Sequence, residues 1–183
     1  MKTLLLLALI LPTTLFADSQ FAVLYTAANP DYSPFDDGHG FSIKAEYDFD
    51  NGLFLTGFYN GTDFRASGPE VGNLHIDSWL ETGIGYSFDH RWGTFYSLIT
   101  FEKITADSQT LEGFGAHFGY RKDFSQDWNA ILQFGHIDTE FHDYQLELMV
   151  NYKLADNFSI TVGLRDYADW DYTSYEAGFI YRF

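Results

Sequence analysis

Residues 144–165 read YQLELMVNYKLADNFSITVGLR, with apolar side chains at every second position on either side of a short polar turn. From Tyr144 to Leu154 the even positions are apolar, and most odd positions are polar or charged. A period of two is that of a β-strand, because successive side chains point to opposite faces. Residues 155–157, Ala-Asp-Asn, provide a turn between two such segments. The stretch therefore predicts an antiparallel hairpin with one apolar face and one polar face.

The same alternation runs through nearly the whole chain. Ten strands are predicted, at residues 19–28, 39–49, 53–61, 74–88, 93–103, 111–122, 128–137, 143–154, 158–167 and 173–183. Short turns at 50–52, 89–91, 123–127 and 155–157 alternate with longer connections at 28–39, 61–73, 104–110, 138–142 and 167–173. An even strand number with short turns on one side is typical of bacterial membrane barrels. Eight strands are the alternative, if two segments merge or lie outside the wall.

Strand length and the polar faces separate a membrane barrel from a soluble sheet. The predicted strands have about ten residues, the length of a tilted strand that crosses a bilayer. Their apolar faces end in Tyr, Trp and Phe, as in the aromatic girdles at membrane interfaces. Their other faces carry full charges, which are costly in the core of a soluble sandwich. We therefore predict an all-β fold, a closed antiparallel transmembrane β-barrel in up-and-down order.

The charged faces would meet inside this barrel. A barrel of eight to ten strands is largely filled by side chains, and unpaired charges there are costly. The predicted lumenal ion-pair network consists of Lys44, Glu46, Asp77, Glu81, His117, Arg121, Glu147, Lys153, Arg165, Glu176 and Arg182. Two interpretations remain open, a lumen closed by ion pairs and a narrow pore with a charged constriction.

The first 17 residues have the layout of an export signal. Lys2 gives a basic start, an apolar run follows from Leu4 to Leu11, and the small residue Ala17 precedes Asp18. The run is too short for a membrane helix, which needs about 20 residues. We predict cleavage after Ala17, so that residues 18–183 form the barrel domain.

The composition excludes several kinds of protein. The chain has 183 residues, no cysteine and a formal net charge of -16. Without cysteine there is no disulfide scaffold, thiolate zinc site or cysteine nucleophile. The negative charge argues against nucleic-acid binding, which needs clustered Lys and Arg. The sequence contains no metal-binding spacing such as His-x-x-x-His, so neither a cofactor nor a metal is predicted.

The last nine residues, YEAGFIYRF at 175–183, alternate aromatic residues up to a terminal Phe. This ending resembles the C-terminal signature of bacterial outer-membrane β-barrels. The segments GYSFD at 85–89 and NYKLADNF at 151–158 also resemble the strand-turn-strand units of small OmpA/OmpX-like barrels. The resemblance implies an outer-membrane location, with Phe179, Tyr181 and Phe183 as the signal for the barrel-assembly machinery. Four short turns, instead of three, depart from the eight-stranded members.

Two predicted loops combine carboxylates with aromatic side chains. The candidate ligand contacts in these loops are Asp36, Asp37, Asp166, Asp169, Trp170 and Asp171. Carboxylates bind divalent cations, and aromatic faces stack on sugars. We expect these loops to bind Ca²⁺ weakly or to contact lipopolysaccharide through bridging divalent ions. In the alternative interpretation, the aromatic residues belong to the outer girdle and the acids solvate the surface.

No catalytic group is predicted. His75, Asp77 and Ser78 lie close together in the sequence, but alternation points Ser78 away from the other two, out of reach of a base. The sequence therefore favours an integral outer-membrane barrel with a structural or surface-interaction role, in contact with outer-membrane lipid and lipopolysaccharide. A narrow channel and a lipid-modifying enzyme are the alternatives.

Overall fold

The computed structural model describes residues 19–30, 38–68, 72–107, 109–170 and 172–183. The predicted export signal, residues 1–17, lies outside these ranges. The described chain forms strands β1 (Gln20–Pro30), β2 (Gly38–Asp48), β3 (Leu53–Asn60), β4 (Phe64–Gly68), β5 (Gly72–His90), β6 (Gly93–Ala106), β7 (Gln109–Asp123), β8 (Trp128–Asp138), β9 (His142–Ala155), β10 (Phe158–Tyr167) and β11 (Tyr172–Arg182). Within these ranges, no helix is long and apolar enough to cross a membrane.

Ten of these strands close into an antiparallel barrel. Neighbouring strands pair in chain order, β1 pairs with β11, and β3 pairs with β5 to complete the ring. The predicted fold class, a closed antiparallel transmembrane β-barrel in meander order, is confirmed, and its wall has ten strands rather than eight.

β4 forms within a segment that the sequence predicted as a loop. Its five residues pair with the first residues of β5, beyond the part of β5 that pairs with β3. β5 has 19 residues and therefore extends past its wall partner. β4 satisfies the backbone groups of this extension, which would otherwise form an unpaired edge.

A β-bulge changes the facing of side chains along β5. The pairing with β6 skips Asp77 between Ile76 and Ser78. Uniform alternation predicts Ile76 on the same face as Leu80, but Ile76 is buried in the lumen whereas Leu80 is exposed. A bulge adds one residue to one strand and so shifts the alternation by one position.

The barrel has two different ends. The turn end carries the short turns and both termini of the described chain, where Phe183 N donates to Ser19 O at 3.0 Å. The predicted turn at Asp50-Asn51-Gly52 forms there, and Gly52 adopts a φ of +83°, which glycine tolerates without strain. The loop end carries the other connections.

The outer surface of the wall is apolar. Exposed large hydrophobic side chains alternate along the strands, for example Phe21, Val23 and Tyr25 on β1 and Tyr144, Leu146 and Leu148 on β9. Aromatic rings bracket this band: Trp128 packs against Tyr152 near the turn end with centroids 4.7 Å apart, and Phe134 stacks on Tyr144 near the loop end. A bilayer solvates such a surface, whereas water would drive its association.

The lumen is divided into three zones along the barrel axis. The loop-end plug consists of Ala28, Phe64, Ile76, Trp79, Ile104, Ala106, Leu111, Ile137, Tyr167, Trp170 and Tyr172. The charge layer lies next to the plug and consists of Lys44, Glu81, Glu102, His117, Glu147, Arg165 and Glu176. A cavity and an open mouth occupy the turn end.

Candidate functional site

The loop-end plug fills the lumen with packed aromatic rings. Phe64 stacks on Tyr172 with ring centroids 3.9 Å apart and planes within 6°. Trp79 packs against Tyr167 and Trp170 at centroid distances of 4.9 and 5.4 Å. Trp79 on β5 faces β10 across the barrel, so the plug joins opposite sides of the wall.

Arg165 is the central cation of the charge layer. Its Nη2 donates to Glu147 Oε2 at 2.8 Å, and its guanidinium lies 4.0 Å from the centroid of the Phe58 ring. Lys44 donates from the other side to Glu147 Oε1. Arg165 and Glu147 are each 2% exposed. Removing one partner of such a buried bridge leaves the other charge uncompensated.

Two further carboxylates lie beside this bridge. Glu81 and Glu102 are directly opposite each other on β5 and β6, and both are buried. Arg165 Nη1 is 4.0 Å from Glu81 Oε2. Glu102 accepts hydrogen bonds from Trp79 Nε1, at 2.7 Å, and from the hydroxyl of Thr100. Like charges directly opposite in a sheet are destabilising, so this pair needs either a shared proton or a compensating positive charge.

A chain of hydrogen bonds connects Glu102 to the turn-end half of the lumen. Thr100 Oγ1 lies 3.0 Å from His117 Nε2, and His117 Nδ1 lies 3.4 Å from Gln133 Nε2. Tyr96 donates its hydroxyl to Gln133 Oε1 at 2.9 Å. The chain crosses β6, β7 and β8 and satisfies buried polar groups that would otherwise be costly.

The turn-end half of the lumen is open to solvent. Arg121 Nη2 donates to Glu46 Oε1 at 2.8 Å, and both residues line a cavity of about 50 Å³ that reaches Glu81. A mouth of about 530 Å³ shares Gln20 and Arg121 with this cavity. Small solutes can therefore approach the charge layer from the turn end, whereas the plug closes the loop end.

The structure brings most of the predicted ion-pair residues together in the lumen. Lys44, Glu81, His117, Glu147, Arg165 and Glu176 lie in the charge layer, and Glu46 and Arg121 pair beneath it. Lys153 and Arg182 lie at the turn end instead. There Lys153 pairs with Asp156 at 2.8 Å, and Arg182 donates to Ser159 Oγ at 2.7 Å.

Asp77 lies outside this network, because it is the bulge residue and is exposed at the loop-end rim. His75 Nε2 is 3.6 Å from Asp77 Oδ1 and 2.8 Å from Asp63 Oδ1. His117, in contrast, is buried in the charge layer. The two histidines that the sequence singled out therefore belong to different zones of the barrel.

Several residues of the lumen were missed by the sequence prediction, namely Phe58, Tyr96, Thr100, Glu102 and Gln133. Both faces of β6 are apolar over much of its length, so alternation of apolar and polar residues does not fix its orientation. Glu102 indicates which face of β6 points into the lumen, because a charged side chain is unfavourable on the lipid-facing side. Counting back from Glu102 by twos assigns Thr100, Leu98 and Tyr96 to the lumen, where the structure places them.

The predicted loop contacts lie in different surroundings. Trp170 is fully buried in the loop-end plug and is not available to an external ligand. Asp166 Oδ1 accepts a hydrogen bond from Thr173 Oγ1 at 2.6 Å, and Asp169 is exposed. Asp36, Asp37 and Asp171 lie outside the described residues.

The three aromatic residues of the predicted assembly signal all lie on the outer surface. Phe179 and Tyr181 belong to β11, which pairs with β1 where the barrel closes, and Phe183 follows this strand. Their role in assembly stays a prediction.

Asp143 is a buried carboxyl group at the loop-end rim. It precedes Tyr144, whose ring belongs to the aromatic band, and so lies beyond the membrane-spanning part of β9. Its Oδ1 accepts a hydrogen bond from Asp169 N at 3.0 Å. Burial disfavours the charged form and raises the pKa of Asp143 to about 7, although hydrogen bonds from the backbone of Asp169 and Tyr144 oppose this rise.

The raised pKa predicts a loss of stability with rising pH. Between about pH 4 and pH 7 the unfolded chain loses the Asp143 proton while the folded barrel keeps it, so rising pH favours unfolding until the change ends above pH 7. We expect Asp143→Asn to remove this loss, so that its stability relative to the wild type increases from pH 5 to pH 8 in urea unfolding experiments.

Asp156→Asn is the control for this measurement. The hydrogen bond from Lys153 lowers the pKa of Asp156 below its ordinary value of 3.8. The Asp156 carboxyl group is therefore ionised above pH 5 in both the folded and the unfolded chain. The stability difference between this variant and the wild type should be constant from pH 5 to pH 8. An equally constant difference for Asp143→Asn would contradict the prediction.

Comparison with a solved outer-membrane channel supports the barrel fold. No protein-family model and no curated protein matches the chain. An outer-membrane channel from Pseudomonas putida F1 superposes with a TM-score of 0.52 at 9% identity, covering 95% of this chain and 100% of that one. The KdgM porin gives a TM-score of 0.45 at 13% identity, over 88% of this chain and 99% of that one. Ail of Yersinia pestis gives 0.40 at 15% identity, over 91% and 97%. At these identities the similarity concerns the fold alone.

Proposed function

We propose that this protein is an integral outer-membrane β-barrel with a structural or surface-interaction role and a lumen that does not conduct at rest. The loop-end plug carries this proposal, because Trp79 and Trp170 fill the lumen and are each at most 1% exposed. The charge layer beneath supports it, because Lys44 reaches Glu147 from across the barrel and Arg165 binds it from the neighbouring strand. We propose no catalytic activity.

The apolar wall with its aromatic bands suits insertion into the outer membrane. In this proposal residues 1–17 direct export, the barrel-assembly machinery recognises Phe179, Tyr181 and Phe183, and the turn end faces the periplasm. The protein would then be a ten-stranded relative of the small OmpA/OmpX-like barrels.

The surface partner that we propose is lipopolysaccharide. The loop-end rim is rich in exposed acids, which include Asp63, Asp77, Asp107, Asp138, Glu140 and Asp169. Divalent cations bind carboxylate oxygens and can bridge them to the phosphate groups of lipopolysaccharide.

Planar-bilayer recording tests the closed lumen. We expect the wild-type barrel to show no steady conductance, because the plug blocks the loop end. The double variant Phe64→Ala, Trp170→Ala removes two rings of the plug and should open intermittently. Phe21→Ala, which truncates an exposed ring on the outer face of β1, should be as silent as the wild type.

A narrow channel is the second candidate, and the turn-end mouth of about 530 Å³ favours it, because it already opens half of the lumen to solvent. Steady, ion-selective conductance of the wild type would support the channel and contradict the closed barrel. Silence of both the wild type and the plug variant would mean that the charge layer alone closes the lumen.

A further inference from the structure

Three side chains of the charge layer converge as cation ligands would. Glu81, Glu102 and His117 bring one potential ligand atom each within 4.8 Å of one another. His117 Nε2 lies 3.7 Å from Glu102 Oε1 and 3.0 Å from Thr100 Oγ1. Two atoms that each bind Zn²⁺ at about 2.1 Å in tetrahedral geometry lie roughly 3.4 Å apart. The spacing of His117 and Glu102 therefore suits two ligands of one divalent cation, and Glu81 would complete the set by a small side-chain movement.

Gly115 leaves the space in which these atoms meet. A Cβ at position 115 would lie 2.3 Å from Thr100 Oγ1, 2.6 Å from His117 Nε2 and 2.9 Å from Glu102 Oε1. Real Cβ atoms do not approach other atoms so closely, so any larger residue here would push the three groups apart. The donor atoms thus surround the space beside Gly115, which no side chain fills.

Further contacts orient the ligand groups from outside. Trp79 Nε1 donates to Glu102 Oε2 at 2.7 Å, which leaves Oε1 directed toward His117. Gln133 Nε2 lies 3.4 Å from Nδ1 of the imidazole, so binding a cation at Nε2 requires the Gln133 amide to turn its oxygen toward the Nδ1 proton. Metal-ligating histidines and carboxylates are held by such partners in known sites.

Gln145 gives a second, independent indication of a ligand. Its side chain is buried, and neither its amide nitrogen nor its amide oxygen has a hydrogen-bond partner among the described residues. Gln145 pairs with Gly135, and Gly135 pairs with His117, whose Nδ1 would lie 2.2 Å from a Cβ at position 135. The unpartnered amide of Gln145 therefore lies two strands from His117, at the same level of the register, and the imidazole covers Gly135 between them. Leaving such a group unsatisfied is costly, and water held in this part of the lumen by a bound cation would offer it a partner.

The charge balance also calls for a cation. Glu81, Glu102, Glu147 and Glu176 face two basic side chains in the charge layer, Lys44 and Arg165, and both of these bind Glu147. Among the described residues, no lysine or arginine nitrogen lies nearer than 4.0 Å to Glu81 or Glu102. When all four carboxylates are ionised, one dication offsets the two excess negative charges.

We propose that Glu81, Glu102 and His117, together with the hydroxyl of Thr100, bind one divalent cation of the zinc class inside the barrel. Glu81 lines the cavity that opens toward the turn-end mouth, so the ion enters from that side. Once bound, it joins β5, β6 and β7 and stabilises the charge layer. The donor set of imidazole and oxygen suits Zn²⁺.

Zn²⁺ titration of the folded barrel tests the site. The protein is refolded in detergent, treated with EDTA, dialysed and titrated by calorimetry. We expect one saturable Zn²⁺ per chain and a higher melting temperature with the ion bound. Glu102→Gln removes one ligand charge at constant size and should weaken binding more than tenfold, and Gly115→Ala should weaken it by filling the space between the donor atoms.

Two variants serve as matched controls. Glu176→Gln removes another buried carboxylate of the charge layer, and His142→Gln removes an exposed histidine that pairs with Asp138. His142→Gln should bind Zn²⁺ as the wild type does, whereas Glu176→Gln, which removes a nearby charge but no ligand atom, should weaken binding less than Glu102→Gln does. If the ligand variants fail to fold, visible absorption of Co²⁺ bound to the wild type and displaced by Zn²⁺ reports the site directly. The absence of saturable binding to the folded wild type would overturn the proposal, and so would full binding by a folded Glu102→Gln variant.

Discussion

Replacing Arg165 with methionine should lower the free energy of unfolding by about 3–5 kcal/mol, the usual cost of removing one partner from a buried ion pair. Methionine keeps much of the side-chain volume but leaves Glu147 with Lys44 alone and removes the cation from the face of Phe58. Glu81 loses its nearest guanidinium at the same time. Urea unfolding in lipid vesicles, followed by tryptophan fluorescence, measures this loss.

Two comparisons show whether burial causes the effect. Lys103→Met removes a basic residue whose partner Glu112 is 3.4 Å away, but this pair is exposed and should contribute less than about 1 kcal/mol. Glu147→Gln should cost less in the Arg165→Met background than in the wild type, because the bridge to Arg165 is already gone. If Arg165→Met cost no more than Lys103→Met, the bridge would not stabilise the barrel.

Trp79→Ala should destabilise the barrel by about 3–5 kcal/mol, the range for truncating a large buried aromatic side chain. The ring packs against Tyr167 and Trp170 in the lumen. Lipid therefore cannot fill the cavity that truncation leaves. The indole nitrogen also donates to Glu102, so truncation leaves a buried carboxylate oxygen without this donor. The same unfolding measurement applies, with fluorescence from the remaining tryptophans.

Trp79→Phe separates packing from hydrogen bonding. Phenylalanine keeps much of the ring packing but cannot donate to Glu102. Trp79→Phe should therefore lower the free energy of unfolding by about 1–3 kcal/mol, the range for one unsatisfied buried group. Equal losses for the alanine and phenylalanine variants would mean that the hydrogen bond, rather than the packing of the plug, decides stability here.

The charge layer and the plug fill the lumen of this narrow barrel in two different ways. Inward positions alternate with lipid-facing ones, so every strand that crosses the membrane also places side chains in the lumen. Near the solvent-accessible turn end these side chains can remain ionic, as Glu46 and Arg121 do. At the loop end the inward side chains of β5, β10 and β11 are aromatic and close the lumen by packing.

The sequence predicted the barrel closely where alternation was uninterrupted. β9 and β10 lie within a residue of their predicted bounds, and Glu147 and Arg165 face the lumen as predicted. The prediction failed at Asp77, because a bulge has no reliable signature in hydrophobic alternation and one extra residue reverses the facing. It also missed β4, whose strand depends on the length of β5 rather than on its own composition.

What the sequence determined by itself was the alternation of faces, and with it the strands, their order and the wall of the barrel. This information is local, because the period of two is a property of neighbouring residues. Only the tertiary structure decided which inward residues meet. Glu102, His117 and Thr100 come together through the register between β6 and β7, and Trp79 faces Trp170 because the ring closes. Contacts across a barrel depend on register and closure, which are set by all ten wall strands together.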